Sequence, residues 1–345
     1  MFYRTFIRPV LFCFDPEKVH QFVFRLIKMV FKIPGIDFLV TLIYNYPDKR
    51  LNREIMGIKF ANPIGLGAGF DKDAVLFNEL AAFGFSFVEI GTLTPKPQPG
   101  NDKPRMFRLS IEKGLINRMG FNNKGVGAAL LRLKDPGRKK NVIVGGNIGK
   151  NKETSLSDAV DDYVKCFNAL FDFVDYFAIN VSSPNTQGLR SLQEKEPLTK
   201  LLVTIQQLNL SKSKPKPVLL KIAPDLSYDQ IDDLLEIIRD TKLTGIIATN
   251  TTIRRKGVEN SPWAKETGGL SGLPLKDHTT EVIRYIRSKA EKGLVIIGVG
   301  GIFSANDALE KLKAGADLIQ IYTGFIYEGP SIVNQICKGI SKQKS

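Results

Sequence analysis

The feature that most constrains the fold of this chain is an alternation of short apolar runs and helical patterns that begins near residue 54. Eight runs are rich in β-branched and aromatic residues, and a segment with apolar residues at helical spacing follows each of them. They cover residues 63–66, 85–90, 142–148, 174–181, 218–222, 245–249, 294–299 and 318–322. Eight strand-then-helix units predict an α/β protein with a closed (β/α)8 TIM barrel. The alternative is an open doubly wound sheet, but that fold usually has fewer strands, and the glycines at 65–69 lack the GxGxxG spacing.

The N-terminal region, residues 1–46, differs from the barrel region, which we assign to residues 47–345. Asp15 and Pro16 are typical of the cap and first residue of a helix. Basic side chains such as Lys18 and Arg25 follow on one helix face and apolar side chains on the other, and an earlier apolar segment would form the first arm of a hairpin. This amphipathic helical hairpin fits two arrangements: packing on its own domain, or lying on an anionic membrane surface. Because basic residues interrupt the apolar segments, we expect neither a signal peptide nor a membrane-spanning helix.

Composition excludes several classes of site. The formal net charge of +14 fits nucleic acid, an acidic membrane surface or an anionic small ligand. Without a zinc-finger spacing, an RNA-recognition signature or a basic zipper, we expect no nucleic-acid partner. The chain has only two histidines, and its three cysteines form no CxxC pair. We therefore expect no metal site and no histidine-based triad.

Small polar residues follow the predicted strands, where a barrel places its chemistry. The segment 178–190, AINVSSPNTQGLR, brings Asn180, Ser183 and Asn185 into one loop. Taken alone it would be an ordinary turn, but Gly, Thr, Asn or Lys ends nearly every other predicted strand. Carboxylates are almost absent there, which disfavours paired-carboxylate glycoside chemistry and a two-metal site. The pattern suits a ligand with carbonyl and imide groups and a phosphorylated cofactor, with glycines after the last two strands close to the phosphate.

Lys221 lies inside the fifth apolar run and leaves two hypotheses open. Its charge can lie against an electron-rich ring, or its amine can form a Schiff base in an aldolase-like barrel. Two long segments, 94–123 and 254–274, interrupt the barrel pattern, and we expect both to cover the barrel mouth, the second as a mobile cover. The first would add the amides of Asn117 and Asn122 to the site.

Ten motifs in the right order resemble the dihydroorotate dehydrogenase family in its class 2, quinone-linked and membrane-associated form. They are GAGFDK, EIGTLTPKPQPGNDKPR, NRMGFNN, NIGKNK, INVSSPNTQGLR, KIAPDL, ATNTT, GGLSG, IGVGGI and QIYTGF. The resemblance runs from about residue 10 to the C-terminus. It implies an FMN-containing barrel that oxidises (S)-dihydroorotate to orotate in pyrimidine (UMP) biosynthesis and passes the electrons to a membrane quinone.

The resemblance also implies roles for individual residues. Ser183 would be the catalytic base that takes the C5 proton while hydride moves to flavin N5; soluble class 1 relatives carry cysteine at this position. Because serine is a weak base, we expect a closed, dry site with Thr186 and Phe121 among its walls. The residues implied for the substrate are Lys72, Asn117, Arg118, Met119, Gly120, Phe121, Asn180, Asn185, Asn250 and Thr251. Those implied for FMN are Ala68, Gly69, Phe70, Asp71, Lys72, Thr92, Asn147, Asn180, Lys221, Thr249, Gly272, Gly301, Tyr322 and Thr323.

The same resemblance gives the N-terminal region a function. In this class a helical hairpin sits on the membrane and forms a quinone tunnel, and His20 and Arg108 match tunnel positions. We therefore expect a monomer bound peripherally to the cytoplasmic side of a bacterial cell membrane through its N-terminal helices.

Overall fold

Eight parallel strands close into a barrel, as the alternation predicts. The structure, a computed structural model, describes residues 2–135, 137, 139, 142–186 and 188–343. Residue 1 of the predicted N-terminal region, residue 187 of the segment 178–190 and residues 344–345 of the predicted barrel region lie outside the described residues. The strands are β1 (Ile64–Leu66), β2 (Phe87–Leu93), β3 (Ile143–Ile148), β4 (Tyr176–Asn180), β5 (Val218–Ile222), β6 (Gly245–Ala248), β7 (Val295–Val299) and β8 (Leu318–Ile321). Each pairs in parallel with its neighbours in sequence, and β8 closes on β1. The prediction of a TIM barrel is confirmed, and the open sheet is wrong.

Helices surround the barrel because each connection must return the chain to the start of the next parallel strand. They are α1 (Phe77–Ala81), α2 (Gly125–Leu133), α3 (Ala159–Leu170), α4 (Lys195–Leu210), α5 (Tyr228–Asp240), α6 (Lys276–Lys289), α7 (Ala305–Lys313) and α8 (Ile332–Lys342), with a short helix at Thr323–Glu328. A capping box starts α5: Ser227 Oγ accepts from the Gln230 N–H, and Gln230 Oε1 accepts from the Ser227 N–H. The apolar faces of the helices and the outer faces of the strands form the main core.

The alternation of side chains along the strands divides the barrel interior into an apolar base and a polar layer above it. The base contains the inward-facing residues Phe87, Ala178, Leu219, Ile247 and Leu318. Two positions further along the same strands or just beyond them stand Glu89, Asn180, Lys221, Thr249 and Gln320. Because residues two apart in a strand share a face, the polar layer lies towards the carboxyl ends of the strands.

A hairpin of two short strands, Arg53–Ile55 and Ile58–Phe60, packs against the apolar base. Phe60 is 1% exposed, and its ring meets that of Phe87 edge-on, with 5.3 Å between the centroids. The hairpin thereby closes the end of the barrel opposite the polar layer.

The two segments that interrupt the barrel pattern meet in one antiparallel sheet, which we call the cover sheet. Its strands are Met106–Leu109, Gly114–Asn117 and Gly269–Gly272, with Gly114–Asn117 in the centre. Phe107, Ile116 and Leu270 are buried together beneath it in a small core of their own. The mobility of the second segment stays a prediction.

The N-terminal region forms three successive helical stretches, which we call the N-terminal arm. They are a π-helical turn (Tyr3–Ile7) that continues into Arg8–Phe12, the helix Pro16–Val30 and the helix Ile36–Tyr44. Asp15 caps the second as predicted, because its carboxylate accepts from the Lys18 N–H at 2.9 Å. The third helix was not predicted. Gly35, at a φ of 83°, turns the chain and starts this helix directly after the second.

The N-terminal arm buries one side against the barrel and exposes the other. Phe24, Ile27 and Phe31 pack against the main core. The exposed apolar side chains include Phe2, Phe6, Val10, Phe14, Phe22, Met29, Phe38 and Leu42. Among the described residues, no helix combines the length and the hydropathy that crossing a membrane requires.

We expect Phe60→Ala to lower the free energy of unfolding by about 3–5 kcal/mol, because it removes a buried ring from the apolar base and leaves a cavity. Denaturant titration followed by circular dichroism measures this change. Leu131→Ala is the control, since Leu131 is 76% exposed on α2 and its truncation should stay within about 0.5 kcal/mol of the parent. Equal stability losses in the two variants would show that the hairpin does not stabilise the barrel.

Candidate active site

A cavity lies between the polar layer of the barrel and the cover sheet. Together with the open solvent at its mouth, it encloses about 1050 Å³ of space. Nineteen of the residues predicted for the site line it together. They are Ala68, Gly69, Lys72, Thr92, Asn117, Met119, Gly120, Phe121, Asn180, Ser183, Asn185, Lys221, Thr249, Asn250, Thr251, Gly272, Gly301, Tyr322 and Thr323.

Four other predicted residues do not line this cavity. The buried Asp71 carboxylate accepts from the backbone N–H groups of Val75 and Leu76 at 2.7 and 2.8 Å, and burial raises its pKa to about 6. Asn147 lies behind Thr92, Phe70 packs against Tyr322, and Arg118 pairs with Glu266 in the cover. Asn147 and Phe70 therefore support the lining residues Thr92 and Tyr322 from outside the cavity.

The buried carboxylate of Glu89 is the centre of the polar layer. It accepts from Asn147 Nδ2 at 2.9 Å, Tyr176 OH at 3.0 Å and Gln320 Nε2 at 2.7 Å. Lys221 Nζ lies 3.6 Å from its Oε1 atom. Burial, with Glu89 beside it, raises the pKa of Tyr176 well above its usual value, so this hydroxyl stays a donor. These contacts join β2 to β3, β4, β5 and β8.

Amide side chains form a second network nearer the mouth. Asn180 Nδ2 donates to Thr92 Oγ1 at 2.9 Å, and Asn180 Oδ1 accepts from Ser182 Oγ at 3.0 Å. Asn250 Nδ2 donates to the same Ser182 hydroxyl at 3.0 Å. Because each amide is held by a neighbour, the cavity presents donors and acceptors in fixed directions.

Ser183 stands on the loop after β4 and is 6% exposed. Its hydroxyl oxygen accepts from the Asn185 N–H at 3.2 Å, which orients the side chain on the cavity wall. Three residues further on, the Thr186 hydroxyl is buried and has no hydrogen-bond partner among the described residues. The loop therefore holds one hydroxyl on the cavity and a second, unpaired hydroxyl behind it.

Lys72 supplies a cation on the cavity wall. Its ammonium donates to Asn122 Oδ1 at 2.5 Å. Burial and then the positive charge of Arg105 lower its pKa to about 8, while Glu17 and Asp73 act in the other direction. Lys72 is thus protonated at neutral pH and ready to pair with an anion.

Glycines form the part of the cavity wall after β7 and β8. A Cβ at Gly324 would collide with the carbonyl oxygen of Ile302, and one at Gly301 would collide with the backbone of Lys276. The backbone N–H groups of Gly301, Thr323 and Gly324 donate no hydrogen bond to any described residue. They are free to bind an anion, and the phosphate site expected at this end of the barrel stays a prediction.

His20 and Arg108 lie outside the cavity, between the N-terminal arm and the barrel. The His20 ring is 4.2 Å from that of Phe24 and 5.3 Å from that of Phe70. Burial, with Lys72 nearby, lowers the pKa of His20 to about 4, so its imidazole is neutral at pH 7. Arg108 donates to the carbonyl oxygens of Phe12 and Phe14 at 3.2 and 2.6 Å.

The family model for dihydroorotate dehydrogenase matches residues 50–343 of the chain. The chain belongs to the dihydroorotate dehydrogenase family. A dihydroorotate dehydrogenase (quinone) from Christiangramia forsetii is 57% identical over 334 residues, which is 97% of each chain. A second, from a Synechococcus strain, is 45% identical and spans 99% of this chain and 93% of its own. The crystal structure of DHODH from Eimeria tenella with ferulenol has a TM-score of 0.87 at 35% identity and covers 95% of this chain and 91% of its own.

Membership of this family, which uses a flavin, bears on two of the predictions made from the sequence. Quinone is part of the names of both relatives, so the predicted class 2 membership is confirmed. The hypothesis of a lysine-dependent aldolase is not favoured. Lys221 is engaged by Glu89 in a buried ion pair, whereas a Schiff-base lysine must offer a free amine.

Sequence reasoning missed how several residues contribute to the site of this family member. Gln320 and Ser271 also line the cavity, and Tyr176 holds the carboxylate below it. The spacing of two from an apolar base residue is a signal that would have found Gln320, but no local pattern marks Ser271, which enters through the cover sheet.

We expect Gly324→Ala to reduce the flavin bound per protein chain, because its methyl group pushes the loops after β7 and β8 apart. The ratio of flavin to protein absorbance measures this. Gly127→Ala is the control, since Gly127 lies on α2 with no atom near its added methyl group and should gain roughly 0.5–1 kcal/mol in stability. Full flavin content in Gly324→Ala, with parental thermal stability, would contradict the assignment of this wall.

Proposed function

We propose that this protein oxidises (S)-dihydroorotate to orotate with FMN as its flavin and a membrane quinone as the electron acceptor. The reaction would be a step of pyrimidine biosynthesis. The observation that carries the proposal is the shared cavity of Ser183, Lys72 and the amides of Asn117, Asn180 and Asn250, in a chain of this family.

The residues present fit FMN. The free N–H groups of Gly301, Thr323 and Gly324 would hold its phosphate. The Oε1 atom of Gln320 is buried on the cavity wall without a hydrogen-bond partner among the described residues, and an N–H of a flavin ring would satisfy it. Lys221 beside it would bind an electron-rich carbonyl edge. FMN, when bound, supplies a two-electron acceptor for the hydride.

The substrate would lie between Lys72 and the loop that carries Ser183. A carboxylate suits the Lys72 ammonium, and the ring amides suit the side chains of Asn117, Asn185 and Asn250, which can donate and accept. Asn185 Nδ2 already donates to Asn117 Oδ1 at 3.3 Å, so the two sides of the site are joined through these amides.

Ser183 would take the proton from C5 of the substrate. Phe121 and the cover sheet would shield the site from water, which favours proton transfer to a weak base. The unpaired Thr186 hydroxyl lies three residues away on the same loop and would help to carry the proton outwards. We assign Ser183 as the catalytic base on this arrangement.

We expect Ser183→Ala to slow reduction of the bound flavin by dihydroorotate about 10²–10⁴-fold, the usual contribution of an acid–base group, with little change in orotate affinity. Anaerobic stopped-flow absorbance measures the rate. Ser183→Cys is the matched comparison, because a thiol retains a proton acceptor at the same position and should be faster than alanine. Near-parental flavin reduction in Ser183→Ala would remove Ser183 from this role.

The quinone would approach between the N-terminal arm and the barrel, where His20 and Arg108 lie. Phe70 bridges this region and the cavity, because its ring contacts both His20 and Tyr322 at 5.3 and 5.6 Å between centroids. The exposed apolar side chains of the N-terminal arm would bury themselves in the membrane interface, with basic residues contacting anionic headgroups. Peripheral attachment to the cytoplasmic side of the cell membrane, as a monomer, follows from this proposal.

We expect the double variant Phe38→Glu and Leu42→Glu to bind vesicles of anionic phospholipid at least tenfold more weakly, because two exposed apolar anchors become charged. Vesicle co-sedimentation measures the binding. Leu210→Glu is the control; it charges an apolar residue that is 65% exposed at the end of α4. Equal binding by the double variant and the control would contradict attachment through the N-terminal arm.

A further inference from the structure

A buried ion pair connects the N-terminal arm to the segment after β2. Arg105 Nε and Nη2 donate to the two carboxylate oxygens of Glu17 at 3.0 and 2.7 Å. Glu17 is 8% exposed and Arg105 is 6% exposed. A buried bidentate ion pair has a fixed geometry, and removing either partner leaves the other charge buried and unpaired, which is costly.

The rest of the Arg105 guanidinium holds the chain that leads to the active site. Its Nη1 atom donates to the carbonyl oxygens of Pro99 and Asn101, both at 2.7 Å. The backbone carbonyl of Arg105 accepts from the Arg118 N–H at 2.9 Å. The Arg105 side chain therefore links helix Pro16–Val30 to residues 99–101, and the Arg105 backbone continues this link to the start of the loop 118–121.

Asn101 transmits this position to the loop of Ser183. Its Nδ2 atom donates to the carbonyl oxygens of Arg118 and Asn185 at 3.1 and 3.0 Å. Asn185 in turn donates its N–H to Ser183 Oγ. Asn101 also packs directly on Gly120, where a Cβ would come within 2.8 Å of its side chain. A continuous set of contacts thus runs from Glu17 to Ser183.

We propose that Glu17 and Arg105 are positioning residues for the substrate site, so that the N-terminal arm acts in the dihydroorotate half-reaction as well as on the acceptor side. This inference rests on the proposed function. It assigns the second helix of the arm a task that its apolar surface does not reveal: holding the Ser183 loop and the 118–121 loop at their working distance.

The same ion pair acts electrostatically on Lys72. The charged and titratable groups that face Lys72 are Arg105, Glu17, Asp73 and His20. Arg105 lowers the pKa of Lys72 and Glu17 raises it, on top of the larger lowering by burial. A carboxylate ligand needs the ammonium form, so its affinity is full below this pKa and falls as pH rises through it.

The test uses full-length protein in detergent, with Glu17→Gln and Arg105→Gln as the variants. Stopped-flow absorbance gives the anaerobic rate of flavin reduction by dihydroorotate, and a flavin absorbance titration gives the orotate Kd between about pH 6 and pH 10. We expect the reduction rate to fall about tenfold to a hundredfold in both, the scale of an ångström-sized misplacement. Flavin reoxidation by a short-chain quinone should fall less.

The pH dependence separates positioning at this site from a general loss of stability. Glu17→Gln removes a charge that raises the pKa of Lys72, so orotate binding should begin to weaken at a lower pH than in the parent. Arg105→Gln removes a charge that lowers this pKa, so orotate binding should begin to weaken at a higher pH than in the parent. A purely structural role would move both curves equally or neither. Arg105→Lys keeps the positive charge but cannot make the bidentate contact with Glu17. It should therefore show the parental pH dependence of orotate binding and still have a slow rate of flavin reduction.

Lys28→Met is the matched control, because Lys28 lies on the same helix and pairs with Glu79 of α1 at 2.8 Å, outside these contacts. It should reduce flavin at the parental rate. Asn101→Ala provides a variant that leaves no buried charge unpaired; it should slow flavin reduction without moving the pH curve. Parental reduction rates in Asn101→Ala and Arg105→Lys would overturn the inference. Failure of the parent itself to reduce flavin with dihydroorotate would instead overturn the proposed function.

Discussion

The buried Glu89 carboxylate is the interaction on which the inside of this barrel depends. It receives hydrogen bonds from Asn147, Tyr176 and Gln320 and faces the Lys221 ammonium. A carboxylate without these partners would be expensive to bury, and the partners without the carboxylate would lose their common acceptor. The network therefore fixes five strands relative to one another at the level where the cavity begins.

The Glu89 network holds the floor of the cavity in place, whereas the upper walls belong to segments whose position can vary. The floor side chains come from strands, whereas Ser183, Lys72 and Asn117 come from loops and the cover sheet. Barrels support chemistry in this way because loops vary while the strands keep their register. The upper walls are held by separate contacts, among them the ion pair of Glu17 and Arg105. The N-terminal arm is thus part of the environment of the cavity.

Local patterns predicted most of the fold. All eight strands occur within two residues of their predicted starts, because each is a short apolar run bounded by polar or glycine residues. The Asp15 cap was equally local. The third helix of the arm was missed, since Pro34 and Gly35 signal an end and do not show that another helix begins at once. The predicted site residues mostly meet in one cavity, but their roles toward substrate and FMN remain predictions.

The sequence by itself determined the eight barrel strands with their helices, the closed barrel and the end of it that carries polar groups, because these follow from spacing along the chain. Tertiary structure alone decided which distant residues meet. The strands Gly114–Asn117 and Gly269–Gly272 pair in one sheet, and Glu17 reaches Arg105. Such contacts depend on the path of the whole chain, since no periodicity relates one segment to a partner far away in sequence. The same reason hid the Glu89 network, whose members come from different strands and meet only when the barrel closes.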